Sequence, residues 1–315
     1  MMAVDSYKTF ALGTECTLLG YGETPSKDAF QIFTLLINEM DSAASRFRSD
    51  SELRTTFNGE ALREVEVSQI LFDALEAAIY GARVTGGHLD PTVEGSLVAL
   101  GYTADFATTL SSESPRRDQT RIVLPLGYQN IILNRAARTV SVSKGVTLDL
   151  GSTGKAFLAD RIRKRIETEL AEPVLVNLGG DISATTLEQE PFWPINITDD
   201  RSLDPSSAGM LTSIAGGGVA TSSTLRRAWK NGSERVHHLI NPFSGQSARP
   251  VFDTVTVFAG SALDANIASS GTIVMGPRGL AWLESTGLPA IARSNEQGTK
   301  YFGNFKQPET TQSRR

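Results

Sequence analysis

The chain has 315 residues, 40% of them hydrophobic and 21% charged, with 30 Lys+Arg against 35 Asp+Glu for a formal net charge of -5. That is enough apolar chain for a real core in one large or two ordinary domains, and too mild a charge for a disordered acidic polymer. A net negative chain has no bulk attraction for nucleic acid, one cysteine excludes a disulfide framework and a multi-cysteine zinc site, and three histidines leave little scope for an all-histidine metal centre.

Met1 to Thr14 carries Asp5 and no sustained apolar run. It therefore reads as neither a secretory nor a lipoprotein leader, and the expected location is cytoplasmic. No stretch approaches the ~20 apolar residues that span a bilayer, so no membrane insertion is expected. Phe10 to Leu19 alternates as one strand, with Cys16 a small buried residue in it. Asp28 to Met40 places Phe30, Phe33, Leu36, Ile37 and Met40 at helical spacing. Ser68 to Val84 repeats that pattern after a serine cap. Asp105 to Thr120 is polar and contains Pro115, which reads as a surface loop.

Ile131 to Val142 suggests a β-hairpin turning near Asn134 to Arg138. Thr147 to Leu150 reads as a strand feeding a glycine turn and a helix on which Leu158, Ile162, Ile166 and Leu170 share one side. Arg161, Arg163, Lys164 and Arg165 form the solvated face of that helix. Further strands are expected at Val174 to Leu178, Trp193 to Thr198, Val236 to Ile240 and Thr254 to Ala259. Asp264 to Met275 is the last helix read, with Asp264 as its candidate N-cap. The polar residues from Asn304 onward read as a frayed tail. Strands and helices mix without a βαβ rhythm, so the fold class is α+β.

Several short motifs have chemical content. In Asp149-Leu-Gly-Ser-Thr-Gly-Lys155 a glycine turn opens a helix, which aims unpaired N–H groups, a positive dipole and a lysine at one spot. A phosphate cradle and a plain tight turn both satisfy that pattern. It is no Walker A loop, because Ala156 stands where Ser or Thr would bind magnesium. Gly179-Gly180-Asp181 after an apolar strand permits close backbone approach, or simply turns the chain. Thr221-Ser222-Ser223 offers hydroxyls for a phosphate or a ring edge, or a Ser/Thr-rich strand end. His238, expected to share a strand face with Val236 and Ile240, suits either a general base or a structural hydrogen bond. Asp264, Asn266 and Ser270 present oxygen, the donor magnesium takes, or serve as caps and buried polar contacts.

The order of these motifs is more specific than any one of them. From about Phe10 to about Gly287 the chain resembles the ApbE family of FAD:protein FMN transferases. The resemblance rests on Phe10-Ala-Leu-Gly-Thr14, on Met40-Asp-Ser-Ala-Ala-Ser45-Arg-Phe47 with Ser51-Glu-Leu53 and Asn58, and on Asp90-Pro-Thr92. It continues through Asp149, Lys155 and Asp160, Leu178-Gly179-Gly180-Asp181, Trp193 with Ile195 and Ile197, and Ala220-Thr221-Ser222. It ends with His238-Leu-Ile-Asn-Pro242-x-x-Gly245 and Val274-Met-Gly276.

The resemblance implies a T-fold-related architecture of mixed or antiparallel sheets packed with helices. It implies one domain over residues 1–303, divisible into two lobes with the FAD site between them, and a polar tail at 304–315. The implied reaction is Mg²⁺-dependent transfer of the FMN half of FAD to a Ser or Thr of an acceptor flavoprotein, releasing AMP. Hydrolysis of FAD to FMN and AMP and non-catalytic FAD binding are the alternatives. By the same resemblance Met40, Ser45, Phe47, Asp90, Thr92, Asp149, Lys155, Asp160, Gly180, Asp181, Thr221, Ser222 and His238 contact the dinucleotide. Lys155 and His238 serve the chemistry, and Gly154, Asp264, Asn266 and Ser270 hold the metal. Asn266 stands where the family carries aspartate, so the site loses a charge unless Asp264, two residues earlier, supplies it.

Overall fold

The computed structural model describes residues 4–22, 24–103, 122–198 and 209–305. The chain opens with β1 (Val4–Ala11) and β2 (Thr14–Tyr21), paired antiparallel from Val4↔Tyr21 to Ala11↔Thr14. The single strand expected at Phe10 to Leu19 is therefore a hairpin. Leu12 and Gly13 turn the chain with φ of 53° and 68°, and an apolar residue in that left-handed turn disguises it as continued alternation.

Helix α1 (Lys27–Ala44) starts where Ser26 accepts a hydrogen bond from Ala29 N, and it buries Ile32, Phe33, Leu36, Ile37 and Met40. The short α2 (Glu52–Thr56) and β3 (Leu62–Glu66) precede α3 (Gln69–Val84), which is capped by Ser68 as its sequence indicates. After α4 (Glu94–Ala99) come β4 (Ile131–Asn134) and β5 (Thr139–Val142), the hairpin expected there, joined by β3 into a three-stranded sheet. The loop expected at Asp105 to Thr120 lies outside the described residues.

Residues 147–150 are not a strand. Asp149 N donates instead to Pro91 O at 2.8 Å, which joins the Asp-Pro-Thr turn to the central glycine motif. Helix α5 (Gly154–Leu170) follows, with Leu158, Ile162 and Ile166 fully buried. Its basic side chains are less solvated than expected. Arg161 pairs with Asp73 at 2.6 Å, and Arg163 donates to Ser183 Oγ at 3.0 Å.

The second half is mainly β: β6 (Leu175–Leu178), β7 (Asp181–Ala184), β8 (Trp193–Ile197), β9 (Met210–Ile214) and β10 (Gly217–Ser223). Then come β11 (Ala228–Asn231), β12 (Glu234–His237), β13 (Ile240–Asn241), β14 (Gln246–Ser247) and β15 (Thr254–Ala259). The strand expected over Val236 to Ile240 breaks at His238. Helix α6 (Ala262–Val274) is capped by Ser261 rather than Asp264, since Ser261 Oγ accepts from Asp264 N at 3.0 Å. Helix α7 (Pro277–Thr286), β16 (Ala290–Ser294) and β17 (Gly298–Phe302) complete the described chain.

One eight-stranded sheet organises the molecule, in the order β1-β2-β6-β7-β10-β15-β16-β17, with every neighbour antiparallel. This is the α+β class expected from the sequence. Alternation along the strands divides the core. Val176 and Leu178 face α1, α3 and α5, whereas Leu175 faces Trp193, Ile195 and Ile197 of the β8-β9 hairpin. Val255 and Val257 pack against Ile267 and Ile273 of α6. Phe305 stacks on Tyr301 and meets Phe258 at a tilt, and the rest of the expected tail lies outside the described residues. Among the described residues no helix is long and apolar enough to cross a membrane.

Candidate active site

The N-terminus of α5, the β1-β2 turn, the C-terminus of α1 and the first half of α6 meet around a cavity of about 460 Å³. From α1 and the chain after it come Met40, Ser45, Arg46 and Phe47, and from the loops come Asp90, Asp149 and His238. Gly154 and Lys155 open α5, Asp181 begins β7, Thr221 and Ser222 lie on β10, and Asn266 and Ser270 share a face of α6. Residues far apart in the sequence thus converge on one space.

Four sequence candidates do not line it. Asp264 is committed elsewhere: its Oδ1 accepts from Tyr80 OH at 3.1 Å and its Oδ2 from Ser261 Oγ at 2.7 Å. Asp160 accepts from Ala262 N and Leu263 N, both at 2.9 Å, and from Ser183 Oγ at 2.7 Å. It anchors the start of α6 from behind, and burial raises its pKa. Thr92 donates its N–H and hydroxyl to Asp90 Oδ1 at 2.8 and 2.6 Å, closing the Asp-Pro-Thr turn on itself. Gly180 sits at φ 98° in the β6-β7 turn, where Gly179, rather than Gly180, reaches the cavity.

Two buried ion pairs frame the space. Arg46 Nε meets Asp149 Oδ2 at 2.6 Å, the two side chains being 7% and 9% exposed. The guanidinium lies 4.2 Å from the Phe47 ring centroid and 4.3 Å from that of Tyr102, and Nη1 donates to Tyr102 O at 3.0 Å. Tyr102 in turn stacks on Trp229 at 5.1 Å. On the other side Lys155 Nζ donates to Asp181 Oδ2 at 2.7 Å. Asn266 Nδ2 donates to Asp181 Oδ1 at 3.0 Å. A carboxylate held by a lysine can only accept, which fixes the amide of Asn266 with its oxygen pointing elsewhere.

That oxygen, Asn266 Oδ1, is buried without a partner, and so are Ser152 Oγ and Arg46 Nη2. No other described residue has a buried side-chain polar atom in that state, and all three residues line the cavity. Buried polar atoms are nearly always satisfied, so three orphans around one space mark missing ligand contacts. The helix points the same way: Thr153 gives α5 no side-chain cap, and although Gly154 N donates to Leu150 O at 2.8 Å, the positive end of the helix dipole faces the cavity.

The donor set also defines what cation fits. Among the described residues no group of three or more His, Cys, Asp or Glu is placed to hold a metal. The cavity instead offers Asn266 Oδ1, the Ser270 hydroxyl at 2.7 Å from Ser222 Oγ, and backbone at Gly154. Neutral oxygen donors beside an anion site suit magnesium, which keeps waters and takes phosphate oxygens as further ligands.

His238 Nδ1 lies 3.3 Å from Arg227 O, the tautomer that leaves Nε2 bare. Enclosure by protein, then the charge of Arg227, lower its pKa from 6.5 to about 3, so the imidazole is neutral in the ligand-free protein. The adjacent His237 is structural, with Nε2 at 3.0 Å from Ala248 O and Nδ1 accepting from Leu239 N at 3.3 Å. Arg46, Ser152 and His88, none of them among the sequence candidates, also stand in the cavity wall. Arg46 lies between two candidates and Ser152 inside the central glycine motif, so adjacency is the signal that could have found them.

Comparison with known proteins gives this fold and cavity a class. The ApbE family profile matches residues 12–292, and the chain belongs to that family. The FAD:protein FMN transferase of Treponema pallidum (strain Nichols) is 27% identical over 284 residues, covering 84% of this chain and 77% of that protein. The enzyme of the same name from Klebsiella pneumoniae (strain 342) is 27% identical over 265 residues, covering 84% and 80%. The crystal structure of the ApbE protein from Thermotoga maritima superposes with a TM-score of 0.80 at 22% identity, over 95% of this chain and 97% of that one. The flavin transferase ApbE from Vibrio cholerae gives 0.77 at 22% identity, over 96% and 97%.

Proposed function

We propose that this protein is an FAD:protein FMN transferase that moves the FMN half of FAD onto a Ser or Thr hydroxyl of an acceptor flavoprotein, with Mg²⁺, and releases AMP. The observation that carries the reading is the set of three orphaned polar atoms around a cavity opened by an uncapped helix N-terminus and a lysine. The names of the curated relatives supply the flavin and the protein acceptor.

In this reading the N–H groups at the start of α5, with Ser152 and Lys155, hold the pyrophosphate. Phe47 and Tyr102, whose rings meet edge to face, and the Arg46 guanidinium against both form an aromatic corner for a ring of the dinucleotide. Met40, Ser45, Asp90, Asp149, Thr221 and Ser222 complete its surroundings. Gly154, Asn266 and Ser270 are the donors for Mg²⁺, which when bound supplies positive charge to the phosphate oxygens. Thr92 and Asp160 act by positioning Asp90 and α6.

The acceptor hydroxyl attacks the FMN-side phosphorus, the bond from that phosphorus to the bridging oxygen breaks, and AMP leaves with that oxygen. His238 Nε2 takes the hydroxyl proton. Burial first, then the positive charges of Arg227 and Lys155, makes this imidazole a weak base, and the arriving pyrophosphate offsets the charge part of that depression.

The test incubates the purified protein with FAD, Mg²⁺ and a flavin-acceptor domain. Covalently yellow acceptor and stoichiometric AMP are expected. Free FMN instead indicates hydrolysis, and intact bound FAD indicates a binding protein.

A further inference from the structure

The cation donors and the anion cradle are not electrically independent in this chain. The charged groups hydrogen-bonded to the donor Asn266, directly or through one another, are one anion, Asp181, and one cation, Lys155, while Asn266 and Ser270 are uncharged. Both oxygens of Asp181 are already occupied, Oδ2 by Lys155 Nζ at 2.7 Å and Oδ1 by Asn266 Nδ2 at 3.0 Å. Its charge is therefore balanced before any ligand arrives. The nearest sequence candidate for extra charge, Asp264, is outside the cavity and bonded to Tyr80 and Ser261. The start of α5 adds positive potential at Gly154. A divalent cation entering this wall alone meets neutral oxygens, a spoken-for carboxylate and a repelling field. A pyrophosphate entering alone meets a lysine and the positive end of α5.

We infer that the protein binds its divalent cation and its dinucleotide as a thermodynamic couple, with the pyrophosphate supplying the negative charge that Asn266 does not. This rests on the FAD reading above. Lys155 is the exchangeable element: it neutralises Asp181 in the ligand-free protein and turns to phosphate in the complex, which frees Asp181 to balance the cation. A lysine on a flexible stem, with a side chain 18% exposed toward the cavity, suits that exchange. Linkage then requires reciprocity, so FAD must tighten the cation by the same factor by which the cation tightens FAD.

Two binding measurements on the full chain test this without reference to turnover. Electron paramagnetic resonance counts bound Mn²⁺ with and without saturating FAD, and flavin fluorescence gives the FAD affinity with and without Mn²⁺. The expected result is at least a tenfold tightening in each direction, equal within error. In N266D, which builds a carboxylate into the donor set, Mn²⁺ binds the FAD-free protein at least tenfold tighter than in wild type and the coupling shrinks. Because N266D buries a second carboxylate beside Asp181 and can impair folding, the wild-type coupling factor is the deciding quantity. Equal Mn²⁺ affinity with and without bound FAD overturns the inference and leaves the FAD reading intact. Absence of any FAD binding at any Mn²⁺ concentration overturns both.

Discussion

The two ion pairs that frame the cavity are nearly the same length, 2.6 Å for Arg46–Asp149 and 2.7 Å for Lys155–Asp181, yet they are built for different purposes. The arginine is held at several points: a carboxylate, the Tyr102 carbonyl and two aromatic faces. Its partner Asp149 also accepts from Gly151 N at 2.8 Å, so the pair ties the end of α1 to the loop that launches α5. The lysine has one hydrogen-bonded contact and an end that opens to the cavity. A planar fork held against two rings and a carboxylate is a strut, whereas a point charge on a four-carbon stem is a movable counter-ion. Similar distances thus conceal a difference in how many restraints each cation carries.

Breaking the strut has the largest expected effect on the fold. R46M leaves Asp149 buried without its cation, and removing one partner of a buried pair costs about 3–5 kcal/mol. Chemical denaturation should show that loss, with R46K intermediate because it restores charge but neither the fork nor the stacking. A variant as stable as wild type would mean that Asp149 is sustained by Gly151 N alone.

Breaking the movable pair should act on chemistry instead. K155Q keeps a donor near Asp181, which also retains the Asn266 amide, so its stability loss should be smaller than that of R46M. FMN transfer should nevertheless fall by about 10²–10³-fold, the usual effect of removing a donor that faces developing charge. A K155Q variant that lost stability as R46M does, and activity only in proportion, would erase the distinction between the pairs.

Burial and the charge of Arg227 act on His238, with a smaller contribution from Lys155. Its folded-state pKa, about 3, lies below the ordinary 6.5, so the unfolded chain takes up the proton first. The stability contributed by the neutral imidazole is complete above about pH 6.5 and is lost as pH falls toward 3. H238N should flatten the acid side of the stability profile, by at most about 1.4 kcal/mol per pH unit. Denaturation midpoints between pH 4 and pH 7 measure it, and parallel wild-type and H238N curves would show that His238 is not depressed.

Local regularities make much of the fold legible. Ser68 followed by Ile70, Leu71, Leu75 and Ile79 is a capped helix with one buried stripe, and both features are short-range. The β4-β5 hairpin is likewise local. The β1-β2 turn is hidden because Leu12 adopts φ 53° inside an alternating run. Residues 147–150 resemble a strand in sequence, but the partner of Asp149 N, Pro91 O, comes from a distant turn. Motif order draws the cavity residues together, yet their pairing depends on contacts 26 positions apart for Lys155 and Asp181 and 85 for Asn266 and Asp181. No residue spacing encodes which of two nearby acids, Asp264 or Asp181, turns toward Asn266.

That choice of acid gives the smallest expected effect and the sharpest use of the comparison. Asp264 sits in the first turn of α6, two residues before Asn266, and proximity in sequence makes it the obvious source of charge. Its carboxylate is bonded to the exposed Tyr80 and to the capping Ser261, outside the cavity. D264N keeps an oxygen for one of those hydroxyls and offers its NH2 to the other, which must turn to accept, and it loses a favourable charge at a helix N-terminus, about 0.3–1 kcal/mol. The Mg²⁺ concentration giving half-maximal transfer should therefore be unchanged in D264N, while D181N, which strands Lys155 without its anion, should shift it. If D264N shifted the Mg²⁺ requirement and D181N did not, the charge would come from Asp264 through the field of α6, and the Lys155–Asp181 pair would be a strut like the other.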